Sequence, residues 1–172
     1  MSGARVALAG ATGNLGPFIL SNLLDAGHEV VVLTRPDSKS KLPSHPNITI
    51  AEVDYTSTPS ITPHLSGVMA VISNINPVVP QQPLIDASIA AGVSRFIPSE
   101  FGSDTLNPKA AVIPILAGKV AVQDYLKTKV AENPGFSYTV SLTYNLKDSL
   151  QTNDDRCLSI KPSSTGASKR TS

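Results

Sequence analysis

Apolar residues along this chain come in short blocks, each closed by glycine, proline or a polar run. Residues 6–9 (VALA) form a continuous apolar block ending at Gly10, the pattern of a strand buried on both faces. Residues 17–26 follow a helical period, with Phe18, Ile19, Leu23 and Leu24 on one side. Pro17 suits the first turn of that helix and Gly27 its stop. Residues 29–34 are rich in β-branched side chains and predict a second strand, while the alternation over 48–53 predicts a third. Residues 68–75 give a fourth strand, 84–91 a helix closed by Gly92, and 95–98 a short fifth strand. A long helical pattern over 113–131 ends at Asn133-Pro134-Gly135, and 136–142 predict a sixth strand. Strand, turn, helix and strand in repetition is the signature of an α/β fold, a doubly wound parallel sheet with helices on both faces.

The pattern fades after residue 143. Residues 144–172 contain nine Ser or Thr and five basic against three acidic groups, with only scattered apolar residues. They predict a Ser/Thr-rich, disordered tail with at most a short helix near residue 146. Residues 1–143 are then one domain carrying nine basic and ten acidic groups. The whole chain of 172 residues has net charge +1, which provides no global field for nucleic acid or an anionic membrane. With 41% hydrophobic residues it can bury a core. A single cysteine, Cys157, excludes an internal disulfide framework and any multi-cysteine metal site. The N-terminus lacks a signal-peptide pattern and no apolar run approaches a membrane span, so the expectation is a soluble cytoplasmic protein.

The first candidate chemistry is Gly10-Ala-Thr12-Gly13-Asn14-Leu15-Gly16, a G-x-x-G-x-x-G turn between a predicted strand and a predicted helix. Gly10 permits a tight turn, Gly13 permits close approach of backbone to a pyrophosphate, and Gly16 permits close helix–strand packing. The exposed N–H groups of the helix start would face the phosphates. The end of the second strand distinguishes NAD from NADP. An acidic residue there would hold a ribose 2′-hydroxyl, but this chain has Thr34-Arg35, with Lys39 and Lys41 behind. A guanidinium suits a 2′-phosphate, so NADP is the expected cofactor, with Arg35 helped by Lys39 or Lys41. Asp37 would serve NAD if the strand ended late. Asp54 is equally an adenine-side residue or a turn cap. Asn74, in Ser73-Asn-Ile-Asn-Pro77, ends the fourth strand at the carboxyl edge, where ligands bind in such sheets.

The second constellation is Arg95-Phe-Ile-Pro-Ser99-Glu-Phe-Gly102, with Lys119-Val-Ala-Val-Gln123 in the following helix. Gly16, Ser99 and Lys119 should share one edge of the sheet. Together with the glycine turn, these segments resemble the NmrA-like and isoflavone reductase-like family of atypical short-chain dehydrogenase/reductases, over roughly residues 4–143. The resemblance implies an NADP-binding Rossmann domain, with Lys119 as the catalytic lysine beside the nicotinamide. It implies an NADPH-dependent oxidoreductase acting on a small, aromatic substrate. The family also contains NAD(P)-sensing regulatory modules that bind a protein partner without catalysis. Tyr125 and Lys129 fit the Tyr-x-x-x-Lys pattern of ordinary short-chain dehydrogenases, but with Lys119 at the cofactor Tyr125 is expected to pack in the core. His28, His45 and His64 show no metal-ligand spacing.

Family members continue well beyond this length. After Thr143 the sequence departs from the family pattern, so the expectation is a C-terminally truncated chain whose cofactor site survives and whose substrate lobe is largely missing.

Overall fold

The structure, a computed structural model, describes residues 3–76, 78–102, 105, 112–142 and 159–162. Its strands are β1 (Arg5–Ala9), β2 (Glu29–Thr34), β3 (Ile48–Glu52), β4 (Ala70–Ser73), β5 (Arg95–Ile97), β6 (Ser137–Leu142) and β7 (Ser159–Pro162). Its α-helices are α1 (Gly16–Asp25), α2 (Thr58–Ile61), α3 (Gln82–Ala90) and α4 (Ala117–Glu132). The strands lie in the order β3-β2-β1-β4-β5-β6-β7. The first six are parallel, as the apolar blocks predict.

Order reverses on either side of β1. Ala9 pairs with Leu33 of β2 on one flank and with Ser73 of β4 on the other. The chains leaving β1 and β4 therefore diverge to opposite faces and open a crevice at their carboxyl ends. That crevice is where the site forms.

The two sheet faces divide the core by strand alternation. Ala7, Ala9, Val31, Leu33, Val71 and Phe96 point to the face covered by α2, α3 and α4. Leu8, Val30 and Val32 point to the other, where α1 packs Leu20, Ile19, Leu23 and Leu24 against them. Leu8 and Phe96 are wholly buried; side chains of this size contribute about 1.5–3 kcal/mol each on burial. Gly27 and Gly92, both at positive φ, end α1 and α3 as the sequence predicts.

Several elements differ from the periodic pattern. The predicted 113–131 helix begins late: Pro114–Leu116 form a 3-10 turn and α4 starts at Ala117. Pro114 is the cause, because the residue before a proline is pushed to extended backbone, and Ile113 has φ −75° and ψ 118°. The segments Pro36–Lys41 and Thr58–Ile61 are too short to show one apolar period and were not predicted. β7 is an unexpected strand within the segment read as a disordered tail. It runs antiparallel to β6, pairing Val140 with Lys161 and Leu142 with Ser159. Its own residues carry no strand pattern; the open edge of β6, with its unpaired backbone groups, supplies the template. The remainder of 144–172, including the short helix expected near 146, lies outside the described residues.

Candidate functional site

The turn after β1 is held by backbone. The Gly13 N–H donates to the Gly10 carbonyl at 3.1 Å, and Asn74 Nδ2 donates to the same oxygen at 3.3 Å. Gly10 has φ +84°, and a Cβ there would lie 2.2 Å from the Asn74 carbonyl oxygen. At Gly16 a Cβ would lie 2.3 Å from the Gly10 oxygen and 2.5 Å from the Ala11 oxygen. Packing inside the protein therefore requires both glycines. Gly13 differs: a Cβ there would meet nothing nearer than the Gly10 oxygen at 3.4 Å and Asn74 Nδ2 at 3.8 Å. Helix α1 starts behind this turn with no side-chain cap on Leu15 and no acidic residue in its first turn. Its leading N–H groups therefore lack a side-chain acceptor.

A cleft of about 490 Å³ opens over the turn. Gly10, Thr12 and Gly13 form one wall, Arg35 and Ser38 a second, Asp54, Tyr55 and Thr56 a third, and Asn74 to Asn76 the floor. Of the residues predicted from sequence, the structure brings Gly10, Thr12, Gly13, Arg35 and Asn74 to this cleft. Gly16 stands behind it as the packing residue. Asn14 and Leu15 do not line it; Leu15 faces a shallow apolar depression with Phe18 and Leu23. Lys41 lines an adjoining hollow of about 200 Å³ that shares Thr12 with the main cleft. Lys39 is turned to Glu52, with 2.7 Å between the charged atoms, and does not line the cleft. Asp37 does not line it either, which leaves Arg35 as the charged residue on that wall.

Asp54 has the bonds of a turn cap and also lies in the lining of the cleft. Its Oδ1 accepts from the Thr56 N–H at 2.8 Å and hydroxyl at 2.7 Å, closing the turn after β3. Those donors, the hydroxyl foremost, hold its carboxyl below the usual value. Tyr55 was missed. Its hydroxyl donates to the Leu33 carbonyl at 2.5 Å, tying β3 to the end of β2 beneath the cleft. Burial pushes the phenol up to about 12, against the opposing influence of the Gly10 backbone and the Arg35 charge. One apolar-aromatic residue after a strand carries no sequence signal distinguishing it from ordinary core.

The second constellation sits one residue behind the floor. The Ser99 hydroxyl donates to the Ile75 carbonyl at 2.9 Å, and its N–H donates to Gln81 Oε1 at 2.9 Å. Next along the chain, the Glu100 carbonyl accepts from the Lys119 amine. Ser99 and Lys119 thus meet the same edge segment, as expected, but Lys119 does not itself line the cleft. The Glu100 side chain is fully buried, and burial raises its carboxyl above the ordinary value. The Lys119 charge and the Gln123 and Thr105 side chains oppose that rise.

Tyr125 is more than the core packing expected of it. Its ring packs on the core, but its hydroxyl donates to the Asp86 carboxylate at 2.8 Å. Lys129 lies 3.2 Å from Asp86 and 5.1 Å from the Tyr125 ring centre. The pair that mimics a catalytic dyad is a clasp between α3 and α4. Among the described residues no three potential ligands gather to hold a metal, and no helix is long and apolar enough to cross a membrane.

A parallel sheet with its order reversing at β1, a glycine turn at the reversal and an uncapped helix start define a protein of the Rossmann class. The particular family follows from comparison: this chain belongs to the NmrA-like family, whose model matches residues 2–161. It is 42% identical over 146 residues to the oxidoreductase aprR of Aspergillus flavus, covering 81% of this chain and 48% of that protein. It is 29% identical to bifunctional pinoresinol-lariciresinol reductase 2 of Linum usitatissimum, covering 79% of this chain and 46% of the relative. Its fold superposes on the structure of AtPrR2 with NADP+ and (+)pinoresinol with a TM-score of 0.66 at 28% identity, covering 83% of this chain and 50% of that one. The leucoanthocyanidin reductase–NADPH complex of Vitis vinifera gives 0.62 at 26% identity, covering 80% and 48%. The chain spans about half the length of the curated relatives it matches.

Proposed function

We propose that residues 1–143 bind NADP(H) and form the cofactor half of an NADPH-dependent reductase for a small aromatic substrate. One observation carries the reading. Packing explains Gly10 and Gly16 but leaves Gly13 without a steric partner, in the lining of a cleft and three residues before a helix start that has no side-chain cap. A pyrophosphate seated on that turn supplies the missing reason, because a Cβ at Gly13 would hold its backbone away from phosphate oxygens. The residues present therefore fit a dinucleotide. Arg35, with no acidic rival on its wall, would hold the 2′-phosphate through its planar fork. Lys41 would add charge from the adjoining hollow, and Asn74 would fix the turn. Names and complexes of the relatives support NADP and a phenolic substrate class.

A nicotinamide held there would supply the hydride. The chain's own contribution would be to orient it at the carboxyl edge, with Lys119 reaching it from behind the cleft floor. An ammonium has three donors, so the one spent on the Glu100 carbonyl leaves two for a ribose hydroxyl or for a proton transfer at Nζ.

A second reading, a dinucleotide-sensing module, is favoured by the position of Lys119 behind the cleft rather than in its lining. Calorimetry with NADPH and NADH, followed by NADPH oxidation against a panel of enones and aryl ethers, separates the two. The reductase reading expects NADPH binding far tighter than NADH binding, and turnover that falls by roughly 10²–10⁴ in Lys119→Ala while binding persists. Binding without turnover on any substrate selects the sensor. No binding of either nucleotide sinks both.

A further inference from the structure

The last rung between β1 and β2 pairs Ala9 with Leu33. Just past Ala9 is Gly10, where the glycine turn begins, and just past Leu33 come Thr34 and Arg35. The distance between that turn and Arg35 is therefore set at this rung. Tyr55 holds it. The Val53 N–H donates to the Thr34 carbonyl at 2.9 Å, so the Thr34 carbonyl faces β3. Carbonyls alternate in direction along a strand, so that of Leu33 faces β1. Tyr55 follows β3, yet its hydroxyl donates to this Leu33 carbonyl at 2.5 Å. Its ring, 8% exposed, belongs to the same core cluster as Ala9 and Leu33, and it crosses the end of β2 to reach the β1 side. The Gly10 backbone and the Arg35 charge both bear on the phenol oxygen there.

The two ends of this strut are unequal. On the β3 side the turn that carries Tyr55 is closed on itself. Asp54 Oδ1 accepts from Thr56 twice, the Ser57 N–H donates to the Asp54 carbonyl at 3.1 Å, and the Asp54 N–H donates to the Ser60 hydroxyl at 3.0 Å. On the other side Arg35 is exposed, and its guanidinium makes no ion pair among the described residues. Only its backbone is held: its carbonyl accepts from the Ser38 N–H at 3.0 Å and the Thr34 hydroxyl at 3.2 Å. A cation without a side-chain partner takes its direction from the backbone it stands on. The closed turn after β3 therefore aims Arg35, and the phenol is the link.

We propose that Tyr55 is a positioning residue that determines cofactor specificity: its hydroxyl fixes the end of β2, so that Arg35 stands where a 2′-phosphate arrives when the pyrophosphate sits on the glycine turn. The proposal rests on the cofactor reading above. A 2′-phosphate needs the guanidinium at one place, because a bidentate contact tolerates little displacement. A nucleotide with a bare 2′-hydroxyl makes no use of that cation and is indifferent to its aim. The bond from Tyr55 to Leu33 therefore favours NADPH without favouring NADH.

Tyr55→Phe removes one oxygen and keeps the ring. The test is calorimetry of the full chain with NADPH and with NADH, for the native protein, Tyr55→Phe, Arg35→Ala and the double variant. In Tyr55→Phe the NADPH affinity should fall by roughly 3- to 10-fold, the worth of one neutral hydrogen bond, while NADH affinity stays unchanged. In the Arg35→Ala background the same substitution should lower NADPH affinity no further, because the two residues act as one unit. A hydroxyl with only a structural role would lower both nucleotides together, or act equally with and without Arg35. Either result overturns the proposal, as does an unchanged ratio of NADPH to NADH affinity. If Tyr55→Phe does not unfold cooperatively, the native chain carrying 3-fluorotyrosine gives a second measurement, with the Tyr55 fluorine signal assigned by elimination through Tyr125→Phe, Tyr138→Phe and Tyr144→Phe. Adenosine 2′,5′-bisphosphate should move that signal and adenosine 5′-monophosphate should move it much less; equal movement overturns the proposal. A native chain that binds neither NADPH nor NADH refutes the cofactor reading and this proposal with it. Selective NADPH binding that survives Tyr55→Phe refutes the role of Tyr55 alone.

Discussion

Substituting Gly13 and Gly16 by alanine, one at a time, separates a glycine that the protein needs from one that a ligand needs. At Gly16 the new methyl would sit 2.3–2.5 Å from the backbone of Gly10 and Ala11, so the helix start must move. Overpacking of that kind costs about 1–3 kcal/mol. At Gly13 the methyl meets one oxygen at 3.4 Å and φ is not positive, so the native backbone accepts alanine. The lower entropy of the unfolded chain even favours the variant by up to about 1 kcal/mol. Apo stability should therefore fall in Gly16→Ala and hold or rise in Gly13→Ala, measured by urea unfolding. Cofactor binding should respond in reverse proportion. Displacing phosphate from one charge-assisted N–H contact costs about 1.5–3 kcal/mol, or roughly 10- to 100-fold in affinity. At an NADPH concentration of 100 times the native Kd, ligand stabilises the native fold by about 2.7 kcal/mol; after a 100-fold loss, the same concentration gives only about 0.4 kcal/mol. Thermal melting with and without NADPH reads both effects on one sample. A Gly13→Ala chain that melts like the native one and is stabilised equally by NADPH would refute the phosphate assignment. A Gly16→Ala chain as stable as the native one would refute the close-packing account of the helix start.

Two further measurements address the walls of the cleft. Arg35→Ala should weaken NADPH by about 1.5–3 kcal/mol, the worth of a charge-assisted hydrogen bond, and leave NADH binding unchanged; equal losses for both nucleotides in calorimetry would place Arg35 elsewhere than at a 2′-phosphate. Tyr55 keeps its proton more tightly in the fold than in the unfolded chain, so the stability it contributes is complete below pH 10 and is lost as pH rises toward about 12. The two-unit gap corresponds to about 2.7 kcal/mol across that window. Chemical denaturation from pH 9 to 12 should show this slope in the native chain and a flatter one in Tyr55→Phe, which also forfeits the bond to the Leu33 carbonyl at every pH.

Much of the frame was legible because its signals are local. Six parallel strands follow from blocks such as Val6 to Ala9 and Glu29 to Thr34, whose apolar content suits a strand covered on both sides. The glycine turn was legible for the same reason: its tight backbone needs residues that sit next to one another in sequence. Arg35 was legible because it follows a strand end directly. Lys41, at the end of the 3-10 turn from Pro36 to Lys41, lines a neighbouring hollow and not the cleft itself, which its sequence position does not show. Tyr125 and Lys129 form a spacing that two different structures share, and only the position of Asp86 on α3 shows that they make a clasp.

The sequence by itself determined the order of the elements, the sites of their turns and the identity of the glycines at the β1 end, because period, backbone freedom and charge are properties of neighbouring residues. Tertiary structure alone decided what those residues meet. It showed that a methyl at Gly16 collides while one at Gly13 does not, that Tyr55 ties β3 to β2, and that β7 completes an edge its own sequence does not announce. It also brought Glu100, beside Ser99, against Lys119 and Gln123 of α4. The reason is physical: burial and pairing depend on distances set by packing whole elements together, and residues far apart in sequence leave no local trace of the partner they will find.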